Sequence, residues 1–417
     1  MNLNFIDLFA GAGGLSEGFM KQGFKPLAHV EMDKYAAQTL LTRTVYWELR
    51  RSNQESIYYD FLEGKKTRDE LYSFLPQELS SVVINREISE QTIDNIFEVI
   101  DNNMRLLNEK KVDIIIGGPP CQAYSLVGRA RDPFGKENDP RNYLYKQYIK
   151  FLDRYKPDLF VFENVPGIKS AGNGAFFQAM KDDMQNSGYT LETKVVDASN
   201  HGVLQQRKRV ILIGWKKDSN MRFPDIETVV GNYLVSDLLN DLPKVQPGES
   251  IDRCEYVTDA SDYLKDTGIR TGDFVTQHIT RPHNNRDREI YRLVIEAWEK
   301  DGTRLKYTEL PDRLRTHNNL KSFLDRFKVV GGNAPYSHTM VAHISKDGHY
   351  YIHPDKQQLR SLSVREAARI QSFPDDFFFE GPRTAIFTQI GNAVPPLLSE
   401  KIAAGIKVMF LSTIKKE

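Results

Sequence analysis

The stretch "DLFAGAGGLSEGF" (Asp7–Phe19) decides the fold class. It follows the apolar run that starts at Leu3, so a strand from Leu3 to Phe9 feeds directly into a glycine-rich turn and then a helix. Glycine tolerates left-handed backbone and lets another group approach the main chain closely, which is what a strand-to-helix turn at a ligand site needs. Further strand-length apolar runs lie at Pro26–Val30, Val112–Ile116, Leu159–Phe162, Thr190–Val196 and Val210–Ile213. Between them Ile93, Ile96, Phe97, Ile100, Met104 and Leu107 recur at helical spacing, giving one apolar stripe between Thr92 and Glu109. Alternating strands and helices predict a doubly wound α/β sheet of Rossmann-like type, whose ligands sit outside the carboxyl ends of the strands.

Four groups of residues are placed at that rim. Gly11, Gly13 and Gly14 look like a dinucleotide fingerprint in which Ser16 takes the place of the third glycine. Glu31, after the next strand, can accept both hydroxyls of a ribose, so an adenosine-containing ligand is expected. The glycines alone do not choose between NAD and S-adenosylmethionine. Cys121 stands in "GGPPCQAYS" (Gly117–Ser125), where Pro119 and Pro120 stiffen the turn and Gly117 and Gly118 leave it bare. A lone cysteine is more often a small buried hydrophobe, but one on a rigid rim is placed as a nucleophile. Glu163, in "PDLFVFENVPG", ends another strand at the same rim. Arg207 and Arg209, in "QQRKR" (Gln205–Arg209), precede their strand and reach the rim only if it runs antiparallel. The loop after Val196 has no clear crossover helix and permits that direction.

The texture changes after Trp215. From about Lys216 to Val330 the chain is rich in charge, Asn and Pro, and Arg288–Lys300 is its one clear helix. This predicts a smaller domain inserted before the C-terminal helices, giving units at 1–215, 216–335 and 336–417. The helices resume in "SVREAARIQSF", with Ser363 as cap, and in "PPLLSEKIAAGIKVMF", with Pro395 and Pro396 near its start. The pattern Arg-x-His-Asn-Asn occurs at Arg281–Asn285 and Arg315–Asn319 and reads as chance or as a helix cap.

At 417 residues, with 40% apolar and 27% charged residues, the chain can bury a large core. Basic and acidic residues balance at 56 each, so a polyanionic partner must be met by a local basic patch. The start "MNLNFIDLF" has no basic leader or long apolar run, and two cysteines do not make a disulfide framework, so a cytoplasmic protein without membrane contact is expected.

Taken in order, "DLFAGAGGLSEGF", "GGPPCQAYS", "FENVPG", "QQRKR", "SVREAARIQSFPDDF" and "QIGNAVPP" resemble the DNA cytosine-5 methyltransferase family, bacterial in type, over nearly the whole chain. The resemblance implies a methyltransferase sheet with a target-recognition domain and transfer of a methyl group from S-adenosylmethionine, with S-adenosylhomocysteine as product. It implies that Cys121 attacks C6 of a flipped-out cytosine in duplex DNA, that Glu163 holds N3, that Arg209 contacts O2 and that Arg207 supports the loop, without a metal. Phe9, Ala10, Gly11, Gly13, Gly14 and Leu15 would wrap the methionine part, Glu31 the ribose and Met32 the adenine, with Leu144 and Asn392 completing the pocket. The family's Asp-Ile pair is replaced here by Glu87-Ile88, with Asp60-Phe61 as rival, in a segment from Thr42 to Lys110 longer than in compact members. Recognition of sequence would fall to the inserted segment, with Arg281, Asn284, Asn285, Arg286, Arg315, Asn318, Asn319 and Lys321 as candidate contacts. A monomer acting near the nucleoid, and a cognate restriction endonuclease acting separately, complete the expectation. An RNA cytosine methyltransferase, a silent DNA-binding module and a nicotinamide enzyme are the alternatives. The last has no use for Pro-Pro-Cys-Gln, and intact Cys121, Glu163 and Arg209 speak against the second.

Overall fold

The computed structural model describes residues 3–120, 144–229, 231–316 and 324–414. The expected alternation is present. Strands β1 (Asn4–Leu8), β2 (Lys25–Glu31), β3 (Val83–Asn85), β4 (Ile114–Gly117), β5 (Leu159–Asn164), β6 (Tyr189–Asp197) and β7 (Lys208–Lys216) form one sheet in the order β3-β2-β1-β4-β5-β7-β6. The first five pair in parallel, whereas β7 runs antiparallel between β5 and β6. The order reverses between β1 and β4, so the ligand-binding switch point lies at the carboxyl ends of these two strands. Strand β3, only three residues long and at the edge, has too little pattern to be read from sequence.

Helices α1 (Gly14–Lys21), α2 (Lys34–Arg51), α3 (Glu55–Leu62), α4 (Arg68–Tyr72), α5 (Ile93–Leu106), α6 (Leu144–Tyr155) and α7 (Ala175–Asn186) accompany the sheet. The predicted helix Thr92–Glu109 is α5, shorter at both ends. Successive strand side chains point to opposite faces and feed two cores. Phe5, Ile114, Ile116, Leu159, Val161, Ile211 and Ile213 join α1 and α2 on one side. Ile6, Leu8, Ile115, Phe160, Phe162, Val210 and Leu212 join α5, α6 and α7 on the other.

The remainder comprises the hairpin β8 (Ser250–Glu255) and β9 (Phe274–Ile279), with helices α8 (Asp262–Thr267), α9 (Asn285–Asp301), α10 (Val364–Ile370), α11 (Arg383–Asn392) and α12 (Pro396–Ile414). The helix read at Arg288–Lys300 is α9, and Ser363 caps α10 by accepting the Glu366 amide. Helix α12 returns to the first core so tightly that a Cβ on Gly18 of α1 would stand 2.2 Å from the Glu400 nitrogen. Within the inserted segment, Phe223, Val235, Leu238, Tyr263, Leu264 and Ile269 also belong to that first core. A third core gathers around α9, from Ile290, Tyr291 and Val294 to Phe327, Val329, Ile352 and Leu359.

Candidate active site

The turn after β1 carries left-handed backbone at Phe9 (φ 56°), Gly11 (φ 56°) and Gly13 (φ 85°). A positive φ at an aromatic residue is costly and persists only where the surroundings enforce it. Here the Gly11 amide donates to Glu31 Oε2 (2.7 Å), the Asp33 amide donates to Oε1 (2.8 Å), and the Ala10 amide donates to the Val30 carbonyl (3.1 Å). Glu31 thus ties the ends of β1 and β2 together, and burial pushes its carboxyl pKa above the ordinary value. A Cβ built on Gly11 meets nothing within 4 Å, so the turn faces open space. One on Gly14 would stand 2.3 Å from the Val394 carbonyl oxygen, so the C-terminal return closes the other side. Met32 is 62% exposed beside this opening, a bare apolar surface where an adenine can lie. Asn85 holds the backbone there by donating to the Glu31 and Met32 carbonyls (2.9 and 3.1 Å).

Among the cofactor candidates, Ala10 and Ile88 are buried, and Leu15 is buried in the first core. Glu87 is exposed two residues beyond the carboxyl end of β3, on the rim of the sheet. Its rival Asp60 lies within α3, 3.6 Å from Lys65 Nζ, and follows no strand end. Leu144 opens α6, and Asn392 is the exposed last residue of α11.

The reactive end is built on β4, β5 and β7. A Cβ on Gly118 would come within 2.3 Å of the Glu163 carbonyl oxygen and 2.9 Å of its Oε2. Only glycine lets this turn lie so close to the acid. Asn164, 2% exposed, donates from Nδ2 to the Pro119 carbonyl (3.2 Å) and accepts the Val165 amide at Oδ1 (2.9 Å). Cys121 itself lies outside the described residues, two positions after the carbonyl that Asn164 holds. Across the antiparallel pair Glu163 stands opposite Ile211, which makes Arg209 its diagonal neighbour on the same face. Arg209 Nε and Glu163 Oε1 meet at 2.7 Å, both largely shielded from water. Arg207 is fully buried and donates to the carbonyls of Met340, Gly391 (3.1 Å) and Ala393 (2.8 Å), a supporting role. The ends of β5 and β7 and the turn at Gly118–Pro119 therefore bring an acid and a guanidinium to one place.

Residues 3–62 and 80–408 match the family of C-5 cytosine-specific DNA methylases. The chain belongs to this family. It is a DNA (cytosine-5) methyltransferase, and S-adenosylmethionine is the general cofactor of such enzymes. Similar proteins include the Type II methyltransferase M.Bpa9945I of Bacillus paralicheniformis, 44% identical over 96% of this chain and 98% of that protein. The Type II methyltransferase M1.HphI of Haemophilus parahaemolyticus is 29% identical over 98% of this chain and 88% of its own. Among solved structures, a prophage-encoded DNA modification methyltransferase of E. coli superposes with a TM-score of 0.64 at 24% identity, covering 98% of this chain and all of that one, which shows the shared fold. The family names DNA, so the RNA reading is not favoured.

Three supporting residues of this methylase escaped sequence reasoning although each stands inside a motif: Asn164, Gln205 and Gly391. Gln205 donates to the Ile370 carbonyl (3.1 Å) and Gln371 Oε1 (2.8 Å) and accepts the Met340 amide (2.8 Å). Two expected DNA contacts are instead used internally. Arg281 donates to three main-chain carbonyls, and Asn284 caps α9 by accepting the Asp287 amide (2.8 Å). Asn318, Asn319 and Lys321 lie outside the described residues. No helix among the described residues is long and apolar enough to cross a membrane.

Proposed function

We propose that this methylase transfers the methyl group of S-adenosylmethionine to C5 of a cytosine flipped out of a specific duplex sequence, with Cys121 as nucleophile. The observation that carries the reading is the shielded Glu163–Arg209 pair, 2.7 Å apart, against the turn that Asn164 holds. A cytosine ring seated there would place N3 at Glu163 and O2 at Arg209. The Cys121 thiolate adds to C6 while the Glu163 carboxyl delivers a proton to N3, so that the adduct is a neutral enamine and C5 becomes the carbon nucleophile. S-adenosylmethionine supplies an electrophilic methyl on a sulfonium. After transfer, the C5 proton passes to a water molecule, the Cys121 thiolate is expelled from C6, and N3 returns its proton to Glu163, which restores the ring. For the cofactor, Glu31 would accept the ribose hydroxyls, Met32 would face the adenine, and Glu87 would meet its amino group. The open space at Gly11 and the exposed Met32 fit such a ligand.

We assign sequence reading to the unit around α9, where Asn285 and Arg286 remain exposed. The Type II names of the relatives are consistent with a separate endonuclease directed at the same sequence, and we further propose a monomer that acts near bacterial DNA. Duplex DNA containing 5-fluorocytosine tests the chemistry, because fluorine cannot leave as a cation. With cofactor present, the wild-type protein should form an adduct that survives denaturing electrophoresis, and Cys121→Ala should not. An active wild-type enzyme that forms no adduct would overturn the covalent route.

A further inference from the structure

One copy of Arg-x-His-Asn-Asn, Arg281–Asn285, is a joint between segments far apart along the chain. Arg281 Nη1 donates to the Lys346 carbonyl (2.9 Å), and Nη2 donates to those of Ile344 and Ser345 (both 2.8 Å). His283 Nε2 accepts the Ser361 amide (3.2 Å), and Asn284 caps the helix that follows, α9. The turn Ala342–Ser345 gripped by Arg281 presses on α11 so closely that a Cβ on Gly391 would lie 2.3 Å from the Ala342 nitrogen. The residues just before that turn are laced to the loop of the target pocket. Ser337 donates its amide to the Leu204 carbonyl (2.9 Å) and accepts the Gln206 amide (3.0 Å). Thr339 Oγ1 donates to the Gln206 carbonyl (2.5 Å), and the Met340 amide and carbonyl meet Gln205 and Arg207. Arg209, the partner of Glu163, is two residues further on.

We propose that Arg281 is a positioning residue for methyl transfer. Its guanidinium fixes the turn Ala342–Ser345 and so sets the register between α9, the DNA-reading helix, and the Gln205–Arg209 loop that holds the target cytosine. The inference rests on the function proposed above. A planar fork spanning three carbonyls is a role that a lysine ammonium cannot reproduce. Its loss would let bound DNA present the cytosine out of line with the pocket while leaving the DNA contacts themselves in place. A misplacement of about 1 Å far from the chemistry can cost as much as about 100-fold in rate.

The test compares wild type, Arg281→Gln and Arg281→Lys in single-turnover methylation, with DNA affinity measured across a salt series. Flipping is followed by the fluorescence of 2-aminopurine at the target position. Both variants should lose about tenfold or more in single-turnover rate and show a reduced flipping signal, with DNA affinity within about twofold of wild type and an unchanged salt slope. A weakened affinity with a shallower salt slope and an undiminished rate on saturating DNA would make Arg281 a phosphate contact and overturn the proposal. If Arg281→Gln does not fold, Arg281→Lys decides alone, since it keeps the charge and most of the packing, and a wild-type rate in it would also overturn the proposal. Failure of wild type to methylate duplex DNA would instead strike at the proposed function.

Discussion

Glu31 carries two loads on one carboxylate. Its oxygens hold the Gly11 and Asp33 amides, and in the proposed function their remaining lone pairs would accept the ribose hydroxyls. Replacing it with Ala is expected to weaken S-adenosylmethionine binding by about 1–3 kcal/mol, the cost of unpaired buried hydroxyls, in calorimetric titration. The same change frees two amides, so a fall in thermal stability should accompany it even without cofactor. Burial raises the Glu31 pKa, so the carboxylate takes up its proton at a higher pH than an ordinary glutamate. Cofactor affinity should therefore decline on acidification while exposed carboxylates are still charged. An affinity equal to wild type in Glu31→Ala would remove Glu31 from the site. Its position was legible because a strand, a turn and a carboxylate lie close together along the chain. Its second task, bracing the turn, was not, since it depends on where the two strand ends meet.

At the scale of elements, the reactive end depends on one parallel pair and one antiparallel pair. The absence of a clear crossover helix before β7 permitted its antiparallel direction, and the observed direction brings Arg209 to Glu163. Gly117 and Gly118 marked the turn after β4 as open to a close approach, but that the group approaching is the Glu163 main chain could not be read, because it depends on how β4 and β5 pair. Gly118→Ala would force the turn away from Glu163, where the nearest atom is a main-chain oxygen 2.3 Å from the added carbon. Neither backbone can yield cheaply. We expect methyl transfer to fall by about 100-fold or more, from displacement of the thiol. Cofactor binding should stay near normal because the β1 turn is untouched, and a Gly118→Ala protein with wild-type turnover would show that the turn can relax.

Across the whole molecule, the histidines whose pKa desolvation lowers, among the described residues, all lie in the C-terminal half. Burial lowers the pKa of His283 to about 3 and those of His338 and His353 to about 4. A histidine so depressed gives stability that is fully present above its ordinary value near 6.5. That stability is lost as pH falls toward the folded value, because the unfolded chain takes up the proton first. The urea midpoint should accordingly drop between pH 7 and pH 5, before ordinary carboxylates titrate. A midpoint unchanged over that interval would mean that these rings protonate as readily in the folded chain as in the unfolded one. The cofactor-free protein is the one to measure, since ligand linkage would otherwise obscure the shift.

Local patterning determined six strands of the main sheet, the switch of texture after Trp215 and the cap at Ser363, because alternation, turn chemistry and capping are written in residues that are neighbours along the chain. Tertiary structure alone decided the rest. Arg207 holds the Gly391 carbonyl 184 positions away, Asn164 holds Pro119 from 45 away, and Arg281 holds Ser345 from 64 away. An arginine or asparagine in a polar stretch carries no mark of whether it will meet DNA, water or a carbonyl. The partner is chosen by which segments the packed cores bring together, since a buried donor must find an acceptor wherever the fold has placed one.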